Sequence, residues 1–561
     1  MLVIGGEGGV GKTYLCLKLC TSLHTQRDYR CLTITATPDS SESVFFRMLW
    51  WLIVPEFGEA AEPPDRELLA ASLERLLTDD RRTDAEVVAR LLADGELHAV
   101  DVEVLTFLCA RLLSQNPRRR MLLISNAHHL APRVVRALEL LFSAIGDIGW
   151  GDMRLLLEYR TGYDNPRFGE LLDRLRTDTQ RVAFADICPL SETELAAALE
   201  SRVSAEQRKD FAHAIYRKAG GNALFVTNVL LWAIDGGYVT RYNERVRVND
   251  VPGFERELTR LPAVLDHFLE SRIGSVLDRA DGRIVLPYLT AAAFGGFEID
   301  AAQVQRITEL QPSDMEAARL YLCAKAIISE SISGPQSTFA HEIMMLSARL
   351  AVAKQGAFVE AGSRIVAHLD SAVFDDTLLG GRLSSALGRS RAAFDFYNGG
   401  YELARNAAAF HQQCVALDGA REVLAPSHTG TTDLTRRYAE IELSLAEAEL
   451  LGGSMVRADR ALREVLEVAA REERGWPVRG ETTLWRCRAL SQRIQLFVRL
   501  MKPRQALQAF GELLSIFQEA PSAPHILRSA MTRILLTLAM SSRPADARQV
   551  ADALLLSRKA N

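Results

Sequence analysis

The stretch that most restricts how this chain can fold is Gly6-Glu-Gly-Gly-Val-Gly11-Lys12-Thr13. Its glycines leave the backbone free to curl, so that successive N–H groups can converge on one point. An apolar run, Leu2-Val-Ile-Gly5, precedes it, and a helical stretch from Tyr14 to Leu23 follows. Strand, glycine loop and helix in that order put the loop at the positive end of the helix dipole, where an anion is favoured. The stretch satisfies G-x-x-x-x-G-K-[ST] in full, which predicts a phosphate-binding loop. Gly6, Gly8, Gly9, Val10, Gly11 and Tyr14 are then candidate backbone contacts of a nucleotide. Lys12 is expected to reach the β- and γ-phosphates, and the Thr13 hydroxyl to ligate Mg²⁺. The expected ligand is ATP or ADP with Mg²⁺. The bland alternative, a chance glycine turn, does not account for the strand and the helix on either side.

Four more apolar runs follow within the first 190 residues: Cys31–Thr35, Met121–Ser125, Arg154–Glu158 and Arg181–Ile187. Short runs alternating with helical stretches predict an α/β domain with a parallel sheet covered on both faces. Beyond residue 190 the strand signal fades, and Leu, Ala, Arg and Glu recur at helical spacing. Breaks are expected at Gly220-Gly221, Gly236-Gly237, Gly295-Gly296, Gly399-Gly400 and Gly452-Gly453. Near the end, Arg460–Val465, Gln505–Phe510 and Asp546–Ala551 align on Ala461, Ala506 and Ala547. That pattern looks like the second helix of a tetratricopeptide-type hairpin, with extra loop length around Gly475-Trp-Pro and Ala520-Pro-Ser-Ala-Pro. An irregular helical bundle is the alternative.

Phosphate-loop ATPases carry a second apolar strand ending in one or two acids. Here Met121-Leu-Leu-Ile-Ser125-Asn126-Ala127-His128-His129 has Ser125 and Asn126 in those places. Both can hydrogen-bond a hydrated magnesium, Ser125 through water, but neither can serve as a general base. The histidines are read as capping the strand end or facing solvent, in preference to a catalytic His128. On another strand, Glu158-Tyr159-Arg160 puts an acid and a cation at the C-terminal end, where ligands sit in such sheets. Arg160 is a candidate γ-phosphate contact, and Glu158 is the candidate substitute acid; a surface Glu–Arg pair is the other reading.

Bulk properties exclude several classes. A net charge of −5 over 561 residues gives no electrostatic case for nucleic acid or membrane. No apolar run reaches membrane-spanning length, the richest being Met48–Val54. The eight cysteines show no paired metal-ligand spacing, and Cys16 and Cys20 read as core residues of the helix after the loop. A cytoplasmic multidomain protein is expected.

These residues resemble, in order, the signal-transduction ATPases with numerous domains, particularly the ATP-binding activators of LuxR and maltose-activator type. Ser125–Leu130 stands where that family has Asp-Asp-Ala-His. Leu157-Glu-Tyr-Arg160 resembles its strand ending in a phosphate-sensing arginine. Pro189-Leu-Ser191 with Glu194-Leu resembles the start of its lid, and Gly220–Phe225 its Gly-Gly-Asn-Pro-Leu-Phe motif. Leu261-Pro262, Ala291–Gly295 and Phe339-Ala-His341-Glu look like its winged-helix domain. The resemblance implies a phosphate-loop domain at 1–190, a helical lid at 191–255, a winged-helix-like domain at 256–352 and tetratricopeptide-like repeats at 353–561. It also implies that His341 approaches the nucleotide, a satisfied core histidine being the other reading, and that the repeats bind a signal or a partner protein. The chain departs from the family at the missing acids, at Ala223 in place of a proline, at Met1 lying inside the first strand, and in showing no DNA-binding domain after the repeats.

Three functions compete. A nucleotide-gated switch with slow or no hydrolysis is favoured, because a switch needs differential binding and not fast turnover. A DNA-binding regulator is the second; residues 436–561 carry 20 Lys+Arg against 14 Asp+Glu, an excess more simply read as a solvated face. The third is a remodelling ATPase assembled as a homo-oligomer, which the missing acids disfavour.

Overall fold

A computed structural model describes residues 1–27, 29–36, 47–48, 50–51, 67, 71, 119–148, 153–163, 165–200, 203–242, 245–330, 337–407, 409–424, 432–452, 454–472, 479–500, 502–519, 526 and 530. It divides into two compact units, Met1–Asp370 with Arg382–Gly388, and Ser371–Gly381 with Arg389–Asn561.

The first unit is built on five parallel strands: β1 (Leu2–Gly6), β2 (Arg30–Thr35), β3 (Arg120–Ser125), β4 (Met153–Glu158) and β5 (Ala183–Ile187). Their order in the sheet is β2-β3-β4-β1-β5. These are the five runs legible in the sequence. The fifth begins two residues later than expected, because Arg181 N–H turns back to the carbonyl and side chain of Asp178. Every residue of β3 is buried, as a strand covered on both faces requires. Helices α1 (Lys12–Arg27), α2 (Pro132–Ile148) and α3 (Pro166–Thr177) accompany the sheet. Cys16 and Cys20 pack in the core between α1 and the strands. The parallel arrangement brings the C-terminal ends of β1, β3 and β4 to one edge, which places Gly6, Ser125 and Glu158 together.

Helices α4 (Glu192–Ala198), α5 (Ala205–Ala219) and α6 (Ala223–Asp235) come next. Ser191 and Glu194 close a reciprocal capping box at the start of α4. Gly220 and Gly221 break α5 from α6, both at positive φ, and Asn222 caps α6 by accepting from Phe225 N–H. A Cβ on Gly221 would sit 1.8 Å from the Leu190 carbonyl, so glycine is required where these two segments meet.

Strands persist beyond residue 190, contrary to the sequence reading. A hairpin pairs β6 (Val239–Tyr242) with β7 (Arg245–Val248), and β8 (Glu298–Ile299), β9 (Ile328–Glu330) and β10 (Ser337–Phe339) form a second antiparallel sheet. At two to four residues each they are too short for alternation to register. Around them lie α7 (Val251–Arg260), α8 (Leu265–Arg279), α9 (Val285–Gly295), α10 (Ala301–Thr308), α11 (Pro312–Ala324), α12 (Glu342–Ala353) and α13 (Phe358–Ala367). Helix α9 is buried along its length and ends at the expected Gly295.

After α14 (Phe374–Ala386), the second unit is a succession of helices: α15 (Ser390–Asn406), α16 (Phe410–Leu424), α17 (Thr432–Gly452), α18 (Met455–Glu472), α19 (Arg479–Arg499) and α20 (Pro503–Glu519). Each packs on the next, giving paired helical repeats. Ala461 and Val465 on α18, and Ala506 and Phe510 on α20, are buried in the cores of these pairs. The repeat segment at Asp546, and the loops at Gly475 and Ala520, lie outside the described residues. One expected break is absent: Gly399-Gly400 lies inside α15. A Cβ on Gly400 would stand 2.5 Å from the Thr377 hydroxyl, so this glycine permits a close approach and does not end a helix. Among the described residues no helix is long and apolar enough to cross a membrane.

Candidate functional site

A cavity of about 620 Å³ opens at the edge where β1, β3 and β4 end. One wall is the loop between β1 and α1. Gly9 and Gly11 adopt φ of +82° and +98°, a left-handed curl that L side chains rarely adopt. The helix behind begins at Lys12, so the loop faces the positive end of α1. Lys12 is buried, and its Nζ donates to the Glu7 carbonyl at 2.7 Å. Burial holds its pKa below the ordinary lysine value, against the opposing pull of Glu158. Thr13 lies at the cavity, while the Tyr14 side chain is largely exposed.

The loop is braced from behind by the start of α6. Asn222 Nδ2 donates to the Gly8 carbonyl at 2.7 Å, and Leu224 N–H donates to the Gly9 carbonyl at 2.8 Å. With those carbonyls tied down on the α6 side, the loop's conformation is fixed. Ala223, the first residue of α6, lines the cavity and faces Gly11.

Glu158, at the end of β4, is the hub of the strand tips. Its Oε2 accepts from the Thr13 hydroxyl at 3.0 Å and from Asn126 N–H at 3.2 Å, and its Oε1 lies 3.7 Å from Lys12 Nζ. The alternative of a surface Glu–Arg pair therefore fails, since Glu158 is 2 % exposed and its partner cation is Lys12. Asn126 takes φ +55°, which turns its N–H toward that carboxylate. Ser125 is buried at the tip of β3, and its Oγ has no partner among the described residues. Arg160 lines the cavity against the loop, its guanidinium 3.1–3.2 Å from where a Gly8 Cβ would stand.

The histidines do not face solvent. His128 and His129 are buried in a short 3-10 turn (Ala127–His129), with ring centroids 4.2 Å apart and Tyr163 edge-on to both. Arg160 N–H donates to His128 Nδ1 at 3.2 Å. Burial, and then the neighbouring His129, push the His128 pKa down to about 3. His129 Nε2 pairs with Glu342 Oε2 at 3.2 Å. Burial works against ionisation of Glu342, but the His129 hydrogen bond and the surrounding histidines outweigh it, and its pKa lies below the ordinary value.

Glu342 belongs to the opposite wall. There β8, β9 and β10 contribute Glu298, Ser329, Glu330 and Phe339, and the start of α12 contributes His341 and Glu342. His341 caps α12 by accepting from Ile343 N–H through Nδ1 at 3.1 Å, and burial pushes its pKa down to about 4. Residues 341 and 342 thus line the same cavity as the glycine loop and the β3 tip.

No protein-family model matches the chain, and no curated protein matches it. Solved structures do. Over 100 % of its length the chain is similar to 74 % of a signal transduction ATPase with numerous domains, with a tetratricopeptide repeat sensor, from Pyrococcus horikoshii (11 % identity, TM-score 0.38). Over 63 % of its length it is similar to 86 % of Cdc6p from Pyrobaculum aerophilum (12 %, TM-score 0.25). Over 65 % it is similar to 88 % of the ORC2 protein from Aeropyrum pernix, solved as ADPNP-ADP complexes (12 %, TM-score 0.26).

The cavity gathers Gly8, Gly9, Gly11, Lys12, Thr13, Tyr14, Ser125, Asn126, Glu158, Arg160 and His341 from the residues the sequence pointed to. Gly6 and Val10 are buried within the loop behind it. Asn222, His129 and Glu342 went unread as site residues. Asn222 meets Gly8 across 214 residues and His129 meets Glu342 across 213, separations that local pattern does not carry.

Proposed function

We propose that this protein is a nucleotide-gated switch, in which ATP or ADP with Mg²⁺ holds the α8–α12 segment against the phosphate-loop domain. The observation that carries the reading is the shared cavity, with the phosphate loop on one wall and β8–β10 and the start of α12 on the other. A ligand that touches both walls only when they are together shifts the closed population by its differential affinity.

The residues present fit a nucleotide and its metal. Thr13 and Ser125 offer oxygen donors suited to Mg²⁺, and the orphaned, buried Ser125 Oγ needs a polar partner. The metal, when bound, neutralises phosphate charge. Lys12 exchanges the Glu7 carbonyl for phosphate oxygens, and Arg160 adds a second cation at the loop. Glu158 holds the Thr13 hydroxyl and the Asn126 amide in place. Both its oxygens are engaged by Lys12, Thr13 and Asn126, which leaves neither free to orient an attacking water. General-base help is commonly worth ~10²–10⁴-fold, so hydrolysis is slow or absent. The α4–α6 segment serves as the lid, α8–α12 as a winged-helix-like domain, and the paired repeats as the surface for a signal or partner protein.

Hydrogen exchange tests the reading. Saturating ADP or ATP should protect the phosphate loop together with β8–β10 and the start of α12. Lys12→Ala should abolish binding in a folded protein, and His341→Ala should keep the loop's protection while losing that of the distant segment. Protection confined to Gly6–Thr13 would refute the switch.

A further inference from the structure

His128, His129 and Glu342 each place one ligand-type atom within 4.8 Å of the others, an arrangement that invites a metal reading. The hydrogen bonds argue otherwise. His128 Nδ1 accepts from the Arg160 amide, so a neutral ring carries its proton on Nε2. A metal needs a lone pair there. His129 Nε2, for its part, is taken up by Glu342.

His128 Nε2 is therefore a hydrogen-bond donor. The residue is 2 % exposed and lines the cavity, and this nitrogen has no partner among the described residues. A buried donor left unpaired is unfavourable, so the site favours a ligand that supplies an acceptor. The charged groups facing His128 are Glu342, Arg160 and Lys12, of which the two cations belong to the loop end of the cavity. From the loop end of the cavity the neutral N–H shares its lining with two cations, Lys12 and Arg160, a combination suited to an anionic oxygen, while the carboxylate of Glu342 is already engaged by His129.

We propose that His128 Nε2–H binds an oxygen of the terminal phosphate of a nucleoside triphosphate, and so makes the site discriminate triphosphate from diphosphate. The proposal rests on the nucleotide reading above. His128 adds a directional donor without a third positive charge beside Lys12 and Arg160, and it stands on the same turn as His129. A terminal phosphate held by His128 thereby steadies the turn that carries the His129–Glu342 pair, which spans the two walls of the cavity.

Calorimetric titration of the full chain with ADP and with a non-hydrolysable ATP analogue, each with Mg²⁺, tests this. Three variants separate the roles of the ring: H128A, H128N, whose amide can still meet the Arg160 N–H, and H128Q, whose amide reaches about as far as Nε2. H128A and H128N should lose on the order of ten- to hundredfold in analogue affinity, the value of a hydrogen bond to a charged group. ADP affinity should stay within about twofold, and H128Q should recover most of the analogue loss. In the wild-type protein labelled with ¹⁵N-histidine, the analogue and not ADP should shift one buried Nε2 resonance, a readout independent of whether any variant folds. Equal loss for both ligands, no loss, or failure of H128Q to recover would overturn the assignment. So would a cobalt(II) absorption band that H128Q abolishes, which would make the cluster a metal site. If the wild-type protein binds neither nucleotide, the nucleotide reading itself falls; if it binds both and the variants do not discriminate, only the role of His128 falls.

Discussion

Glu158 lies 3.7 Å from Lys12, and both side chains are buried, so the two form a buried pair of opposite charge. Removing one member of a buried pair leaves the other desolvated and uncompensated, commonly at a cost of about 3–5 kcal/mol. Glu158→Gln keeps an acceptor for Thr13 and Asn126 but leaves Lys12 without its counter-charge. The free variant should therefore melt well below the wild type. A phosphate group supplies the missing negative charge, so saturating ADP should raise the melting temperature of the variant more than that of the wild type. Equal nucleotide-induced shifts in the two proteins would mean that Lys12 does not face the phosphates. Lys12 and Glu158 were both legible in the sequence, one from a contiguous motif and the other from its place at a strand end. Their pairing was not, because it depends on β4 lying directly beside β1 in the sheet.

Among the elements, α6 carries the most structural consequence for its size. Asn222 caps this helix through its Oδ1 and, through its Nδ2, holds the Gly8 carbonyl of the loop. Asn222→Ala removes both at once, with about 0.5–2 kcal/mol for the cap and about 1 kcal/mol for the second bond. Thermal unfolding should register that loss, and ADP affinity should fall several-fold because the loop is no longer held in its binding shape. If stability falls while affinity is untouched, the brace is structural only. The sequence revealed the helix break at Gly220-Gly221, since glycine pairs punctuate helices, and it revealed all five strands of the parallel sheet. The strands β6–β10 escaped notice, as did the burial of His128 and His129. Polar residues near a strand end look like surface residues until the partner wall, β8–β10 with α12, is known to cover them.

At the level of the whole molecule, the two units carry buried acids and bases that titrate in opposite senses. In the first, His128 and His341 have pKa values pushed from 6.5 down to about 3 and about 4. The unfolded chain then binds more protons between those values and 6.5, so stability falls as pH drops below about 6.5, by up to roughly 1.4 kcal/mol per pH unit for each histidine. In the second, burial raises Glu442 and Glu449 from 4.5 to about 7, against the pull of Arg421 and Arg457 respectively. There the folded state binds more protons between 4.5 and 7, and stability rises as pH falls through that window. Calorimetry on the full chain from pH 7 to pH 5 should show the melting of one unit moving down and that of the other moving up. Glu449→Gln should flatten the second trend, and two transitions falling in parallel would contradict this account. The sheet order has a further consequence, for the time at which the protein becomes itself during synthesis. Strand β1 emerges before the other strands of its sheet, yet Leu2 pairs with Leu156 on one side and Ala183 on the other. At about 5–20 residues per second, the ribosome takes on the order of ten to thirty seconds to deliver those neighbours. For that interval an apolar strand with two open edges trails from the exit tunnel, and chaperones that hold such segments have their opportunity before the phosphate loop can take shape.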